Sequence, residues 1–375
     1  MKRIKSLDGL RAISILMVLL AHARPTMPRF LTDNFVFEIV SNSQLGVTIF
    51  FVLSGYLITK TLIIEDENTG FIDVRQFFMR RALRLLPIFY LYILAIILLK
   101  LFFIPDIINK VSDVIPAAFY FWNYKNLLTP ISGNANWFLG HFWSLSMEEQ
   151  FYLLWPFVFI IFYCRQSLSK FNFILITILV LMPMLRVGTY YFSPENRGNI
   201  RWMLHTGGDA ILMGCLGALI EKTSNFRRIR IKYLTNKWLS VSTVLFLFLI
   251  SPYFSITFGG AYNLPFGMSL DNIFILIFIF QIMYIETSFS KLLSSKVLVH
   301  LGVLSYSLYV WQQIFLTDRY QYWFNLFPQN LIIVFVTGFF SFHLIEKPIL
   351  NLRKKLSRDA ALKLNADVSG EIIIP

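Results

Sequence analysis

Residues 8–23 read DGLRAISILMVLLAHA, an apolar run with one arginine near its start and one histidine near its end. Eleven residues make about three turns of an α-helix, so Arg11 and His22 share a face and lie about 16 Å apart along the axis. Ionisable side chains inside a membrane segment are costly and usually mark functional sites. The stretch therefore predicts a membrane helix with a polar path along one face.

The composition of the whole chain agrees with a membrane protein. Of its 375 residues, 56% are hydrophobic and only 15% are charged, whereas a soluble domain is about half apolar and a quarter charged. The net charge of +13 is explained by Lys and Arg in cytoplasmic loops, so no nucleic-acid partner is expected. Cys164 and Cys215 have no metal-ligand spacing, and no metal is predicted.

The apolar runs predict an all-α integral membrane protein with about ten transmembrane helices. These lie near residues 9–26, 44–62, 85–104, 144–163, 171–192, 203–221, 238–257, 266–285, 298–316 and 329–346. Both termini are predicted to be cytoplasmic, because few basic residues then fall on the outer side. Of the 34 Lys and Arg residues, those outside are Arg24, Arg29, Lys110, Lys125, Arg197, Arg201 and Arg319.

Two regions admit another interpretation. The basic start, the apolar run and Ala21-His-Ala23 resemble a signal peptide with its cleavage site, although Arg11 shortens the uncharged run and favours a retained helix. The outer segment 105–143 contains an apolar piece, Val114–Trp122, that would re-enter the membrane or lie at its interface. The same segment is long enough to contain a helical hairpin.

A basic cluster precedes the third predicted helix. Arg80, Arg81 and Arg84 lie within one and a half turns of an amphipathic helix, and clustered guanidinium groups bind phosphate oxygens in bidentate fashion. Anionic lipid headgroups would suit the same cluster equally well.

Two adjacent carboxylates, Glu148 and Glu149, stand near the start of the fourth predicted helix. They would complement the positive end of the helix dipole at the N-terminus. Alternatively, one of them would orient a histidine and stabilise its protonated form, as in base–orienter pairs. The predicted topology places both near the depth of His22, which favours the second interpretation.

Other polar residues give weaker signals. Asp209 falls inside a predicted helix and needs a buried partner, while His343 and Glu346, one turn apart, suggest a structural ion pair. Small residues around Ser54 indicate close helix packing. Ser54 is an unpromising nucleophile because the sequence places no base beside it.

Several motifs occur together and in order. They are Leu7-Asp-Gly-Leu-Arg11 with His22; Gly46-Val47 and Phe50-Phe-x-x-Ser-Gly-Tyr56; Arg80-Arg-x-x-Arg84-x-x-Pro87; Trp143-Ser-Leu-Ser-x-Glu-Glu-Gln-Phe-Tyr152; Ser305-Tyr-Ser-Leu-Tyr309; and Ile345-Glu-Lys-Pro348. This series resembles the acyltransferase-3 family of bacterial integral membrane O-acyltransferases.

The resemblance implies a transmembrane acyltransferase domain over residues 1–350, followed by a short basic cytoplasmic tail at 351–375. The protein would be a multi-pass protein of the bacterial inner membrane, in the standalone form without a C-terminal SGNH-type domain. The donor would be cytoplasmic acyl-CoA, most often acetyl-CoA. The acceptor would be a sugar hydroxyl in a polysaccharide, lipopolysaccharide, peptidoglycan or glycolipid.

The mechanism expected from these residues divides them into two groups. Arg11, Arg80, Arg81 and Arg84 would bind the donor phosphates. His22 would act as general base or hold the acyl group briefly, with Glu148 or Glu149 orienting it.

Two departures from the family pattern leave acceptor recognition open. This chain has Gly207 where the family often has arginine, and Gln312 where it often has histidine. A transporter or flippase for a lipid-linked glycan, without acyl-transfer chemistry, is the alternative function, because intramembrane Arg, His and Glu also line substrate paths. A membrane glycan polymerase is a third possibility.

Overall fold

The structure is a computed structural model that describes residues 3–125, 131 and 133–352. The described part is built from helices and turns, without a strand. Its long helical segments are α1 (Lys5–Ala23), α2 (Ser43–Thr69), α3 (Val74–Phe102), α4 (Phe142–Phe159), α5 (Leu168–Phe192), α6 (Asp209–Glu221), α7 (Lys237–Phe258), α8 (Met268–Tyr284), α9 (Lys296–Phe315) and α10 (Gln329–Leu352).

Each of the ten predicted segments overlaps one of these helices, with ends that differ by up to eleven residues, and the chain is an all-α integral membrane protein. Within the described residues, eight helices are long and apolar enough to cross a membrane. The other two are α6, with only 13 residues, and α9, which buries Gln312 and Gln313. The number of crossings and the side of the termini stay predictions.

The first helix lies in the core of the bundle. It packs against α2 and α9, and Ile15 and Val18 are completely buried. The contact with α9 is close because a Cβ on Gly302 would lie 1.8 Å from the carbonyl oxygen of Asp8. The segment that resembled a signal peptide is thus an integral part of this fold.

Small residues also bring α2 and α6 together, as the sequence around Ser54 predicted. A Cβ on Gly55 would lie 1.9 Å from the carbonyl oxygen of Ile211, and one on Gly214 would lie 2.0 Å from that of Val52. Such close backbone approach is how membrane helices gain packing energy without a hydrophobic driving force.

The segment between α3 and α4 forms short helical turns at Val111–Val114, Ile115–Ala118, Trp122–Tyr124 and Ala135–Phe138. In its described residues before α4, 105–125, 131 and 133–141, there is no long helix, so the helical hairpin is not found there. Tyr92 of α3 donates to the carbonyl of Phe138 at 2.6 Å, and Trp137 donates to the carbonyl of Gln313 on α9 at 3.1 Å. These bonds hold the segment against the bundle near the His22 end of α1.

The predicted tail lies almost entirely outside the described residues, which end at 352.

Candidate active site

Near the Arg11 end of α1 lies a cavity of about 320 Å³, here called the arginine cavity. Its charged lining consists of Arg3, Asp8, Arg11, Arg81, Arg84 and Glu148. α1 supplies Asp8 and Arg11, α3 supplies Arg81 and Arg84, and α4 supplies Glu148. Among the described residues, the lining thus contains four guanidinium groups and two carboxylates.

The arginines differ in how they are held. Asp8 accepts from Arg3 at 2.5 Å and lies 3.6 Å from Arg11. The guanidinium of Arg81 lies over the ring of Tyr152, 3.8 Å from its centroid. Because one carboxylate serves two of the arginines, the cavity keeps an excess of positive charge, which suits a polyanionic ligand.

Arg80 does not belong to this cavity's described lining. Its guanidinium donates to Glu65 at 2.6 Å and to Gln76 at 3.3 Å. Consecutive residues on a helix project about 100° apart, so Arg80 and Arg81 cannot face the same point. The structure brings together Arg11, Arg81 and Arg84, three of the four arginines predicted for the donor.

The predicted contact between the Glu148–Glu149 pair and His22 is wrong in this structure. Glu148 accepts from Ser54 at 2.9 Å and lines the arginine cavity, and Oε1 of Glu149 is buried without a hydrogen-bond partner among the described residues. His141, just before α4, lines the same cavity as His22. Glu148 lies seven residues further along, about 10 Å away along the axis.

At the His22 end of α1 lies a larger cavity of about 640 Å³, here called the histidine cavity. Its charged and imidazole side chains are His22, Lys125, His141, Arg201, Asp209 and Asp271. Its lining also includes the indoles of Trp122, Trp143 and Trp202 and the amides Gln44, Asn136, Asn199, Asn272 and Gln313.

The partner of His22 is Gln312, which stood out in the sequence only as a departure from the family pattern. Nδ1 of His22 lies 3.0 Å from Oε1 of Gln312, and Gln312 is completely buried. An amide oxygen only accepts, so Nδ1 donates and the lone pair of the neutral ring resides on Nε2. Trp137 packs edge-on against the imidazole, with centroids 5.8 Å apart, and these two contacts fix the orientation of the ring.

A second histidine, His141, also lines this cavity and received no role from the sequence. It is 3% exposed, and its Nε2 lies 3.1 Å from the carbonyl oxygen of Val310 on α9. Nothing in its local sequence separates it from an ordinary core histidine; only the fold brings it to the cavity wall.

One residue of the histidine cavity's lining, Asp209, belongs to a buried ion pair. Asp209 accepts from Arg186 and, at 2.8 Å, from the amide of Asn272, and Arg186 also donates to the carbonyl of Thr206 at 2.9 Å. The buried partner that Asp209 was expected to need is therefore Arg186 of α5. The nearby carboxylate of Asp271 accepts from Ser251 at 2.6 Å.

Aromatic rings form another part of the wall. Trp143 and Trp202 stack with centroids 5.9 Å apart. The ammonium of Lys125 lies 4.8 Å from the ring centroid of Trp122, and burial lowers the pKa of Lys125. Flat aromatic faces beside hydrogen-bonding groups bind ligands that have both apolar faces and polar edges.

Among the described residues, Val47, Phe51 and Tyr309 line both cavities. We call these three side chains the partition. The hydroxyl of Tyr309 donates to the carbonyl of His141 at 2.8 Å and lies 2.5 Å from Oγ of Ser144. The two cavities thus meet at side chains from α2 and α9.

The ion pair predicted between His343 and Glu346 is also wrong. Glu346 accepts from Ser307 of α9 at 3.0 Å, and His343 contacts the carbonyl of Phe339, one turn back, at 3.0 Å. In the part of the chain that the structure describes, no cluster of three or more His, Cys, Asp or Glu residues could hold a metal.

Comparison with known proteins adds independent findings. The model of a family described as an acyltransferase domain matches residues 4–345. A Staphylococcus aureus (strain COL) protein named "putative O-acetyltransferase" is 31% identical over 323 residues, covering 83% of this chain and 50% of that protein.

Two further relatives have more specific names. The peptidoglycan O-acetyltransferase OatA of Listeria monocytogenes is 28% identical over 321 residues, covering 83% of this chain and 49% of its own length. A Bacillus subtilis protein named "putative peptidoglycan O-acetyltransferase" is 29% identical, covering 92% and 55%. The chain thus spans about half the length of these relatives, and no solved structure matches it.

Proposed function

Because the chain belongs to the acyltransferase-3 family, we propose that it is a membrane O-acyltransferase. It moves an acyl group, most often acetyl, from cytoplasmic acyl-CoA to a hydroxyl of a surface or lipid-linked glycan. The observation that carries this proposal is the meeting of two unlike cavities beside one helix, which contributes Arg11 to the first and His22 to the second.

The arginine cavity is the site for the donor. Acyl-CoA carries phosphates, and guanidinium groups bind phosphate oxygens with charge-assisted hydrogen bonds. Arg81 and Arg84 reach the cavity from α3 and Arg11 from α1. The thioester end then extends along α1 toward His22, over about 16 Å of helix.

The histidine cavity is the site for the acceptor. Its lining of amides, carboxylates and indoles offers hydrogen bonds to sugar hydroxyls and flat faces to the ring. The names of the relatives favour acetyl as the acyl group and peptidoglycan as one acceptor class. The bacterial inner membrane is the location that such a donor and acceptor require.

His22 acts as the base in this scheme. Nε2, whose lone pair is free because Nδ1 donates to Gln312, takes the proton of the acceptor hydroxyl while its oxygen attacks the thioester carbonyl. The carbon–sulfur bond breaks, and the CoA sulfur leaves with the proton from the imidazolium. Alternatively, Nε2 attacks the thioester first and passes the acyl group on.

Glu148 has a different place in this scheme from the one the sequence suggested. It stands in the arginine cavity with Arg81 and Arg84, where its charge limits the excess of positive charge and orients the guanidinium groups.

The test is transfer by the purified full-length protein in detergent, supplied with radiolabelled acetyl-CoA and muropeptides. Release of CoA together with label in an alkali-labile ester supports the proposal. A protein that neither binds acetyl-CoA nor releases CoA overturns it and returns the chain to the flippase or polymerase alternatives. Label on the protein that depends on His22 distinguishes the acyl-histidine route from direct transfer.

A further inference from the structure

We propose that the partition of Val47, Phe51 and Tyr309 selects short acyl groups by limiting the space in which the thioester end of the donor lies. This inference rests on the proposed function and deepens it, since it assigns the donor specificity to particular side chains. These three residues are the described side chains that line both the cavity with the arginines and the cavity with His22.

The partition is held rigidly. Phe51 is 4% exposed and packs edge-on against Trp143 with centroids 5.8 Å apart. Tyr309 is fixed by its two hydroxyl contacts, to Ser144 and to the carbonyl of His141. Neither side chain can swing aside without losing these contacts.

The partition lies on the path of the acyl end of the donor. The donor phosphates bind among Arg11, Arg81 and Arg84, and His22 lies in the other cavity. The acyl group is the leading end of the donor, so it has to pass the boundary of the two cavities before its carbonyl reaches His22. Packed interiors tolerate added methylene groups poorly. Each carbon added to the acyl chain therefore has to displace a fixed ring or enter the polar histidine cavity.

The experiment measures the affinity of the full-length protein in detergent for CoA, acetyl-CoA, butyryl-CoA and octanoyl-CoA by titration calorimetry. We expect acetyl-CoA to bind at least as tightly as CoA, and octanoyl-CoA to bind roughly tenfold or more weakly than acetyl-CoA. Equal affinity for all three thioesters would overturn the inference and leave the proposed function standing. Failure to bind any thioester would instead remove the proposed function.

Two variants and a matched control locate the effect. Phe51→Ala and the milder Val47→Ala widen the partition, and each is expected to bring octanoyl-CoA within about threefold of acetyl-CoA in affinity. Phe50→Ala is the control, because Phe50 lines only the arginine cavity and its removal should leave the chain-length preference unchanged. If Phe51→Ala does not fold, Val47→Ala alone decides the question.

A second outcome would also contradict the partition. If Phe50→Ala relaxes the preference as much as Val47→Ala does, the acyl chain lies within the arginine cavity and the selection does not occur at the boundary.

Discussion

The two cavities are close neighbours, yet their linings follow different chemistry. The arginine cavity is smaller, about 320 Å³, and combines four arginines with two carboxylates. The histidine cavity is about 640 Å³ and is lined by amides, indoles and balanced charges. The first suits a ligand that carries several negative charges, and the second suits a ligand with many hydroxyl groups. Under the proposed function, the donor and the acceptor therefore enter from opposite ends of α1.

Removing the proposed base should have the greatest consequence for catalysis. His22→Ala should lower the turnover number for transfer by about 10²- to 10⁴-fold, the usual contribution of a positioned acid–base group. Donor affinity should remain, since His22 lies outside the arginine cavity. The measurement is CoA release with saturating acetyl-CoA. His300→Ala, at an exposed histidine on α9, is the matched control, and near-normal transfer by His22→Ala would contradict the mechanism.

The wall of the histidine cavity gives the next largest effect, on stability. Asp209→Leu should cost about 3–5 kcal/mol, because it leaves the buried guanidinium of Arg186 without its carboxylate. The melting temperature of the detergent-solubilised protein measures this loss. Asp33→Leu, at an exposed position, is the control. A melting temperature unchanged by Asp209→Leu would show that the ion pair is unimportant for this wall.

Donor binding in the arginine cavity can be tested with two adjacent arginines, of which only Arg81 lines the cavity. Arg81→Ala should raise the KM for acetyl-CoA about tenfold, as expected for a lost charge-assisted hydrogen bond to phosphate. Arg80→Ala should change it far less, since Arg80 contacts Glu65. Equal effects of the two variants would favour the alternative, in which the arginine cluster binds lipid headgroups.

The smallest expected effect comes from the positioning residue of the base. Gln312→Ala removes the acceptor of His22 Nδ1 and should lower the turnover number about five- to tenfold, which corresponds to about 1–1.4 kcal/mol. The KM for acetyl-CoA should stay constant, and Gln312→Asn, which keeps an amide on a shorter side chain, should recover part of the loss. A variant that changes only the KM would show that Gln312 serves the donor.

The sequence allowed most of the fold to be predicted, and about half of the candidate site. Apolar runs located the ten long helices because a membrane segment must be continuous and hydrophobic. The prediction that Arg11 and His22 lie on one helix is confirmed, because such a prediction depends only on the local sequence of that helix. Partners on other helices could not be predicted, because they depend on the rotation and depth of each helix in the bundle.

Three residues illustrate this limit. Gln312, 290 positions from His22 in sequence, contacts it only through the packing of α9 against α1. Glu148 and His141 flank the same helix start, yet seven residues of axial rise place them in different cavities. No local pattern contains this information.

The partition has an electrical consequence. Under the proposed function the two cavities open on opposite sides of the membrane, so the barrier between them is thinner than the bilayer, and much of a transmembrane voltage would fall across Val47, Phe51 and Tyr309. An elementary charge that crosses a drop of 100 mV gains or loses about 2.3 kcal/mol. The same three side chains would then limit ion leakage through the protein, and a wider partition would carry current.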